Sequence, residues 1–390
     1  MPPRRMIAAL LATAFVLPTS SAVDTVEDMQ CDCFLSNGTN PGYYTHHAFF
    51  DFRQLTPRAS PPAIIGDAAA VAAAPPTSDF FTSDTWTAFW EVETWDNSKG
   101  GASRRRSSSK NTLSNDATVY MINSASNIFI EKAAADGSDG GSDVATFLTM
   151  RTARLADFQT AAEFQTSRAD YHFLSLRMRA RTVGAPGAVT AMFTYRGSPD
   201  PARVQEADVE VLTRGPRSVM QYTNQPSDLP DGEVAGATRN ASVAPAAWSE
   251  WAAHRLDWTP ARSTWYVDGR EAASIALQVP RDPAAVNFNA WSDGGSWSGN
   301  MTVGAAASLQ IQWIEMLYNT TRRAAAVRRG RGGGRCRVVC TVDDAGEVGK
   351  AAVLSNSMGS GAVPSTRPSA GVGGLLALGW GAVAILYMIP

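Results

Sequence analysis

The sequence predicts an all-β fold, two sheets packed as a jelly-roll sandwich, and three observations carry that prediction. Between Thr118 and Trp313 the apolar runs are short and separated by Gly, Pro, Asp and Asn. Several runs alternate polar with apolar residues, and no stretch sustains a helical period. The chain also carries 11 Trp, 32 Gly and 22 Pro, which suits turn-rich strands with aromatic surfaces better than a helical bundle. Its 390 residues include 34 basic and 36 acidic side chains, so the basic excess typical of nucleic-acid binding is missing. A hydrophobic share of 44% excludes a wholly disordered chain.

Taken in order, the chain opens with Arg4 and Arg5, an apolar stretch from Met6 to Leu17, and the small-residue site Ser20-Ser21-Ala22. Residues 1–22 are therefore expected to be a cleaved signal peptide. The body, residues 23–340, has its expected core at about 46–320. An aromatic run follows the first cysteines, His46 to Phe52. Residues 57–83 are rich in Pro and Ala and read as a loop, 84–96 as extended chain around Trp86, Trp90 and Trp95, and 98–115 as an exposed insertion. In Phe173 to Arg181, Leu174, Leu176, Met178 and Ala180 share one strand face, while Ser175 and three Arg share the other. Val189 to Tyr195 and Leu309 to Leu317 are further strands, and Thr264 to Arg270 ends in an Asp-Gly hairpin signal. Residues 322–335 are an Arg-Gly connector and 341–370 a polar linker. The charge-free apolar tail 371–390 comes after small residues, the pattern of a glycolipid-anchor signal, with attachment expected at Asn356, Ser357, Gly359 or Ser360.

The four cysteines, Cys31, Cys33, Cys336 and Cys340, flank the body. An exported chain with an even count favours disulfides, and chain ends commonly lie close together, so each early cysteine is expected to pair with a late one. Sequons at Asn37, Asn240, Asn300 and Asn319 agree with a secretory route.

The chemistry is concentrated in Gln205 to Thr213. As a strand, this segment sets Glu206, Asp208 and Glu210 on one face and Ala207, Val209 and Val211 on the other. The apolar half is an ordinary core face. Three carboxylates about 7 Å apart along one face repel, and stability does not call for them. A pair of Glu side chains leaning together suits the acid and nucleophile of a retaining glycosidase. An exposed acidic strand or a calcium patch are the plainer alternatives.

This Glu-Ala-Asp-Val-Glu strand resembles the signature of glycoside hydrolase family 16, on a concanavalin A-like jelly roll, and the likeness is to secreted fungal members. Tyr171 to Arg179, Pro186 to Tyr195, His254 to Pro260, Trp265 to Gly269 and Asn289 to Gly299 are similar to family segments and come in the family's order. The resemblance implies that Glu206 is the nucleophile, Asp208 its helper and Glu210 the general acid/base. It implies sugar contacts for Trp291, Trp297 and Tyr195, and leaves His254 either bordering the cleft or serving as a framework histidine. Trp258, Trp265 and Trp313 are assigned to packing, and His46 and His47 to no chemistry. The expected protein is an exported endo-glycosidase on β-1,3 or mixed β-1,3/1,4 glucan, held at the cell surface through a lipid anchor and acting as a monomer. No nucleic acid, cofactor or metal is expected. A cell-wall glucan transglycosylase would use the same residues. A non-catalytic carbohydrate-binding protein would need neither Glu206 nor Glu210.

Overall fold

The computed structural model describes residues 25–98, 113, 116–141, 143–229, 232–321, 336–343 and 345–357. The expected signal peptide, the hydrophobic tail, the Arg-Gly connector and most of the 98–115 insertion lie outside these residues. Short strands dominate: β1 (Thr25–Val26), β2 (Cys33–Leu35), β3 (Tyr43–Tyr44), β4 (His46–Asp51), β5 (Trp90–Val92), β6 (Met121–Asn123) and β7 (Ile128–Lys132). Longer ones come next: β8 (Thr146–Arg154), β9 (Gln159–Thr166), β10 (Tyr171–Gly184), β11 (Val189–Arg196), β12 (Gln205–Leu212) and β13 (Val219–Gln225). A small ribbon, β14 (Asp228–Leu229) and β15 (Gly232–Glu233), leads to β16 (Thr238–Ser242), β17 (Ala252–Trp258), β18 (Ser263–Val267) and β19 (Arg270–Ile275). The chain closes with β20 (Ala285–Trp291), β21 (Ala306–Thr320), β22 (Val338–Thr341) and β23 (Ala351–Asn356).

Sixteen of these strands form one sheet that folds over at β9 and β8 into two layers. The inner layer runs β16-β13-β12-β11-β20-β9 and the outer β8-β21-β10-β17-β18-β19. The all-β sandwich expected from the alternation is thus observed. Its core is where the apolar halves of the alternating strands meet. Leu174, Leu176, Met178 and Ala180 of β10 face Ala207, Val209 and Val211 of β12 in one buried cluster. Trp86 and Trp90 pack edge-on to Phe164, which stacks on Phe288 with ring centroids 5.0 Å apart. Such rings bury large area and add specific contact energy beyond it. Trp258 and Trp265 are fully buried in the same cluster, and Trp313 is buried beside Phe49, in line with the packing role assigned to them.

The 57–83 segment is more ordered than its composition suggests. It holds an α-helix, α1 (Ala68–Ala72), capped by the Asp67 side chain accepting from Ala70 N at 2.8 Å. A second short helix, α2 (Asp84–Thr87), lies within the stretch read as extended chain. Val71 and Phe81 are buried, so the prolines bend a packed segment instead of freeing it.

The polar-linker expectation for 341–370 needs correction over its first part. β23 pairs with β22 and β1, and β22 with β2, in a separate five-stranded sheet made from both ends of the body. Two disulfides staple it, Cys31–Cys340 and Cys33–Cys336, joining early to late cysteines as expected. This sheet lies over the outward face of the outer layer, making a third layer. It covers the Arg face of β10, and charge pairing is the reason that face tolerates burial. Arg177 meets Glu315 at 3.5 Å and Asp343 at 3.0 Å, and Arg255 meets Asp257 at 2.6 Å and Asp343 at 3.5 Å. His47 bridges Asp28 at 2.8 Å and Glu315 at 3.2 Å. Buried cations without such partners would be strongly destabilising.

Candidate active site

β12 carries the site because its parity is strict. Its even-numbered residues leave the core while Ala207, Val209 and Val211 are 0%, 3% and 5% exposed. Antiparallel pairing with β11 sets Tyr195 opposite Glu206, Phe193 opposite Asp208 and Ala191 opposite Glu210. On its other side, β13 sets Thr223 opposite Asp208 and Gln221 opposite Glu210. β20 extends the row with Asn287 beside Phe193 and Asn289 beside Ala191, and β9 adds Gln165 and Glu163 beside those two. The result is a floor of same-facing side chains running across the strands.

That floor lines a cleft of about 580 Å³. Glu206 and Glu210 line it, with Tyr195, Trp291 and Asp293 on the same walls and Trp95, Asn97 and Asn123 at the far side. Asp208 lies between the two Glu, only 2% exposed, and its Oδ1 has no hydrogen-bond partner. Burial raises the proton affinity of all three carboxyls. For Glu206 the charges of Glu210 and Glu163 add to it, and for Asp208 those of Glu210 and Glu206. Glu210 is eased back by a hydrogen bond from Trp297 Nε1 to its Oε1 at 3.2 Å. Three mutually repelling acids in a poorly solvated row share fewer than three charges near neutral pH.

Of the residues singled out from sequence, Glu206, Glu210, Tyr195 and Trp291 line the cleft, and Asp208 is buried between the two Glu on the same strand face. Trp297 reaches Glu210 through its indole N–H. His254 does not border the cleft. It is 4% exposed on β17, between the layers, beside Met178, Val209, Met220 and Trp248. Its backbone pairs with Met178 of β10, so its side chain follows the apolar face of that pair inward. Burial lowers its pKa to about 4, which keeps the ring neutral. Asn240 and Asn300 are exposed. Asn37 Oδ1 accepts from Arg255, and the half-buried Asn319 donates to Tyr43 O while accepting from Thr45, so these two amides are engaged in the fold.

Sequence reasoning missed two acids. Glu163 and Glu93 also line the cleft, Glu163 on the same floor as the catalytic row. Burial pushes Glu163 up to about 7, with Trp95 donating to it at 3.5 Å and Glu93 repelling it. Gln165 donates to Glu93 at 2.6 Å. The signal was present: Ala162 and Phe164 alternate with Glu163 and Gln165, so the polar pair had to face away from the core. Among the described residues, no group of three or more His, Cys, Asp or Glu is arranged to hold a metal ion.

Comparison with known proteins gives partial matches. A xylanase/β-glucanase of Ruminococcus flavefaciens is 27% identical over 137 residues, 34% of this chain and 16% of that protein. A β-glucanase of Fibrobacter succinogenes is 28% identical over 176 residues, 42% of this chain and 48% of that protein. The chain thus spans less than half the length of either relative. Among solved structures, a Bacillus licheniformis β-glucanase aligns with 60% of this chain and 93% of its own, at 18% identity and a TM-score of 0.44. The model of the glycosyl hydrolases family 16 matches residues 110–315, a span that takes in the acidic strand, the cleft floor and the Trp297 loop. With more than half of the sequence covered by that match, the chain belongs to glycosyl hydrolases family 16.

Proposed function

We propose that the protein is a retaining endo-glycosidase that cleaves β-1,3 or mixed β-1,3/1,4 glucan. The observation that carries this reading is the Glu206-Asp208-Glu210 row at the floor of an aromatic-walled cleft. Four residues of strand put the two Glu Cα atoms about 13 Å apart, a spacing from which side chains leaning together can reach the roughly 5–5.5 Å that retention requires. Glu206 attacks the anomeric carbon as the glycosidic C–O bond breaks, and Glu210 gives its proton to the departing oxygen. Glu210 then takes a proton from water, whose oxygen displaces Glu206 and restores the starting configuration. Asp208, whose proton affinity is raised by burial and by its acidic neighbours, stands between the two Glu, and repulsion along the row favours one Glu ionised with the other protonated.

The walls fit a polysaccharide. Trp95, Trp291 and Tyr195 offer flat faces to pyranose rings, and the amides of Asn123, Asn287 and Asn289 offer donors and acceptors to hydroxyls. The β-glucanase names carried by the curated relatives support the glucan assignment. We also propose export and lipid anchoring. Two disulfides suit an oxidising compartment. Asn356 lies in β23 and Ser357 donates twice to Arg337 O, which favours Gly359 or Ser360 as the attachment point.

The deciding experiment incubates the secreted protein with a panel of β-glucans, with and without a labelled acceptor oligosaccharide, and tracks products by mass and by anomeric NMR. β-Configured new reducing ends from a 1,3 or mixed-linkage glucan are expected. Products of α configuration would overturn the mechanism, and transfer to the acceptor in place of water would make the protein a transglycosylase.

A further inference from the structure

We infer that Trp297 is a positioning residue for the acid/base Glu210, its indole N–H holding one carboxyl oxygen so that the other stays free for proton transfer. The inference rests on the functional reading above and assigns Trp297 a task different from sugar stacking. The indole Nε1 donates to Glu210 Oε1 at 3.2 Å, and Trp297 is not among the residues that line the cleft.

The loop that presents the indole is fixed from several sides. Thr118 N and Val119 N donate to Asp293 O at 2.9 and 2.8 Å, and Gly299 N closes the loop onto Gly295 O at 2.9 Å. Asp116 Oδ2 accepts from Ser296 N at 2.7 Å, and Arg214 donates to Ser296 O at 2.7 Å. Both partners of Ser296 in this bracing thus lie outside the loop. The glycines are explained by the same packing. A Cβ on Gly294 would sit 2.4 Å from Thr118 Oγ1, and one on Gly295 would sit 2.5 Å from Asp116 Oδ1. Gly294 and Gly299 also adopt φ of +71° and +78°, which favours glycine. A loop anchored this closely serves a fixed point, and the polar atom it aims at the cleft row is the indole N–H.

Other charges around Glu210 do not substitute for this contact. Asp208 and Glu206 on its own strand are acids, as are Asp293 and Asp116 on the loops and Glu163 across the floor. The partners on the adjacent strands, Ala191 and Gln221, carry no charge. Arg214, the cation in this loop region, is committed to Ser296 O.

The test is Trp297→Phe, which keeps a ring and removes the donor, with Asp116→Ala as a second variant that loosens the loop and leaves the indole in place. The ionisation of Glu210 is measured directly by NMR of carboxyl-labelled glutamate, assigned against Glu210→Gln. Loss of a donor to the charged form should raise the Glu210 pKa by about one unit in Trp297→Phe and by less in Asp116→Ala. The basic limb of kcat/KM on glucan should move upward with it. Cleavage of unactivated glucan should fall roughly tenfold or more, while a dinitrophenyl glycoside, whose leaving group needs no proton, should lose far less. An unmoved Glu210 titration, or equal losses on both substrates, would overturn the inference in favour of a sugar platform. Should the wild-type protein cleave no β-glucan, the glucan reading fails, and the carboxyl titration still decides the role of Trp297.

Discussion

Removing the two disulfides should destabilise the protein in a strongly non-additive way, and the size of the effect is set by where they sit. Their sequence separations are 309 and 303. In the chain-entropy model a closed loop of about 310 residues restrains the unfolded chain by roughly 5–6 kcal/mol. Once one bridge exists, the other closes only a ring of about eight residues, 31–33 with 336–340, worth roughly 2–3 kcal/mol. The paired variants Cys31→Ser/Cys340→Ser and Cys33→Ser/Cys336→Ser should therefore each lose about 2–3 kcal/mol, because the remaining bridge still closes the long loop. The quadruple variant should lose about 8 kcal/mol, roughly 3 more than the sum of the two, and approach the whole stability of an ordinary domain. Urea unfolding monitored by Trp fluorescence, with linear extrapolation, measures all three. A quadruple loss equal to or smaller than the sum of the two paired losses would refute the nested-loop reasoning and place the stabilisation in local packing of the small sheet.

Three further outcomes are expected at the site and in its surroundings. Glu206→Gln should reduce turnover by several orders of magnitude with no loss of melting temperature, since it removes a charge that burial and its acidic neighbours disfavour, and circular dichroism checks the fold. Glu163→Gln removes a charge that raises the Glu206 pKa, so the acidic limb of kcat/KM, where Glu206 must ionise, should move to lower pH. Burial alone would depress the His47 pKa, yet its bonds to Asp28 and Glu315 lift it to about 9. The raised value means stability that is fully present below the unfolded pKa of about 6.5 and lost as pH rises towards 9. Comparing wild type with His47→Gln by urea unfolding at pH 6 and pH 9.5 should show that difference, up to about 3 kcal/mol, in wild type alone.

The legible parts of the molecule are those written in a two-residue period. β12 declares both faces at once, since Ala207, Val209 and Val211 can serve only a core and the interleaved acids only a surface. β10 declares its core face equally well, but its Arg face is open to misjudgement, because nothing local says that Asp343 and Glu315 arrive to pair with Arg177. The terminal sheet is hidden for a related reason. β1 and β3 have two residues each, too few to show any period, and the sheet is closed by pairings of β1 with β23 and of β2 with β22, strands some 300 residues away. His254 is left undecided by sequence because a histidine on a core face looks, in sequence, like a histidine at a cleft. Only the pairing of β17 with β10 decides which way it points. Glu163 is readable from its parity with Phe164, but a single acid lacks the emphasis of three.

The stapled sheet also determines how the molecule carries load. A pull applied between Thr25 and Ser357 enters the chain outside both cystines and crosses from one terminal strand to the other through Cys31–Cys340 and Cys33–Cys336. The entire sandwich, from β4 to β21, hangs on that short circuit as a closed loop outside the tensioned path. Shear on a tethered copy is then borne by two covalent bonds and five short strands on the face opposite the cleft, while the spacing of Glu206 and Glu210 is left undisturbed.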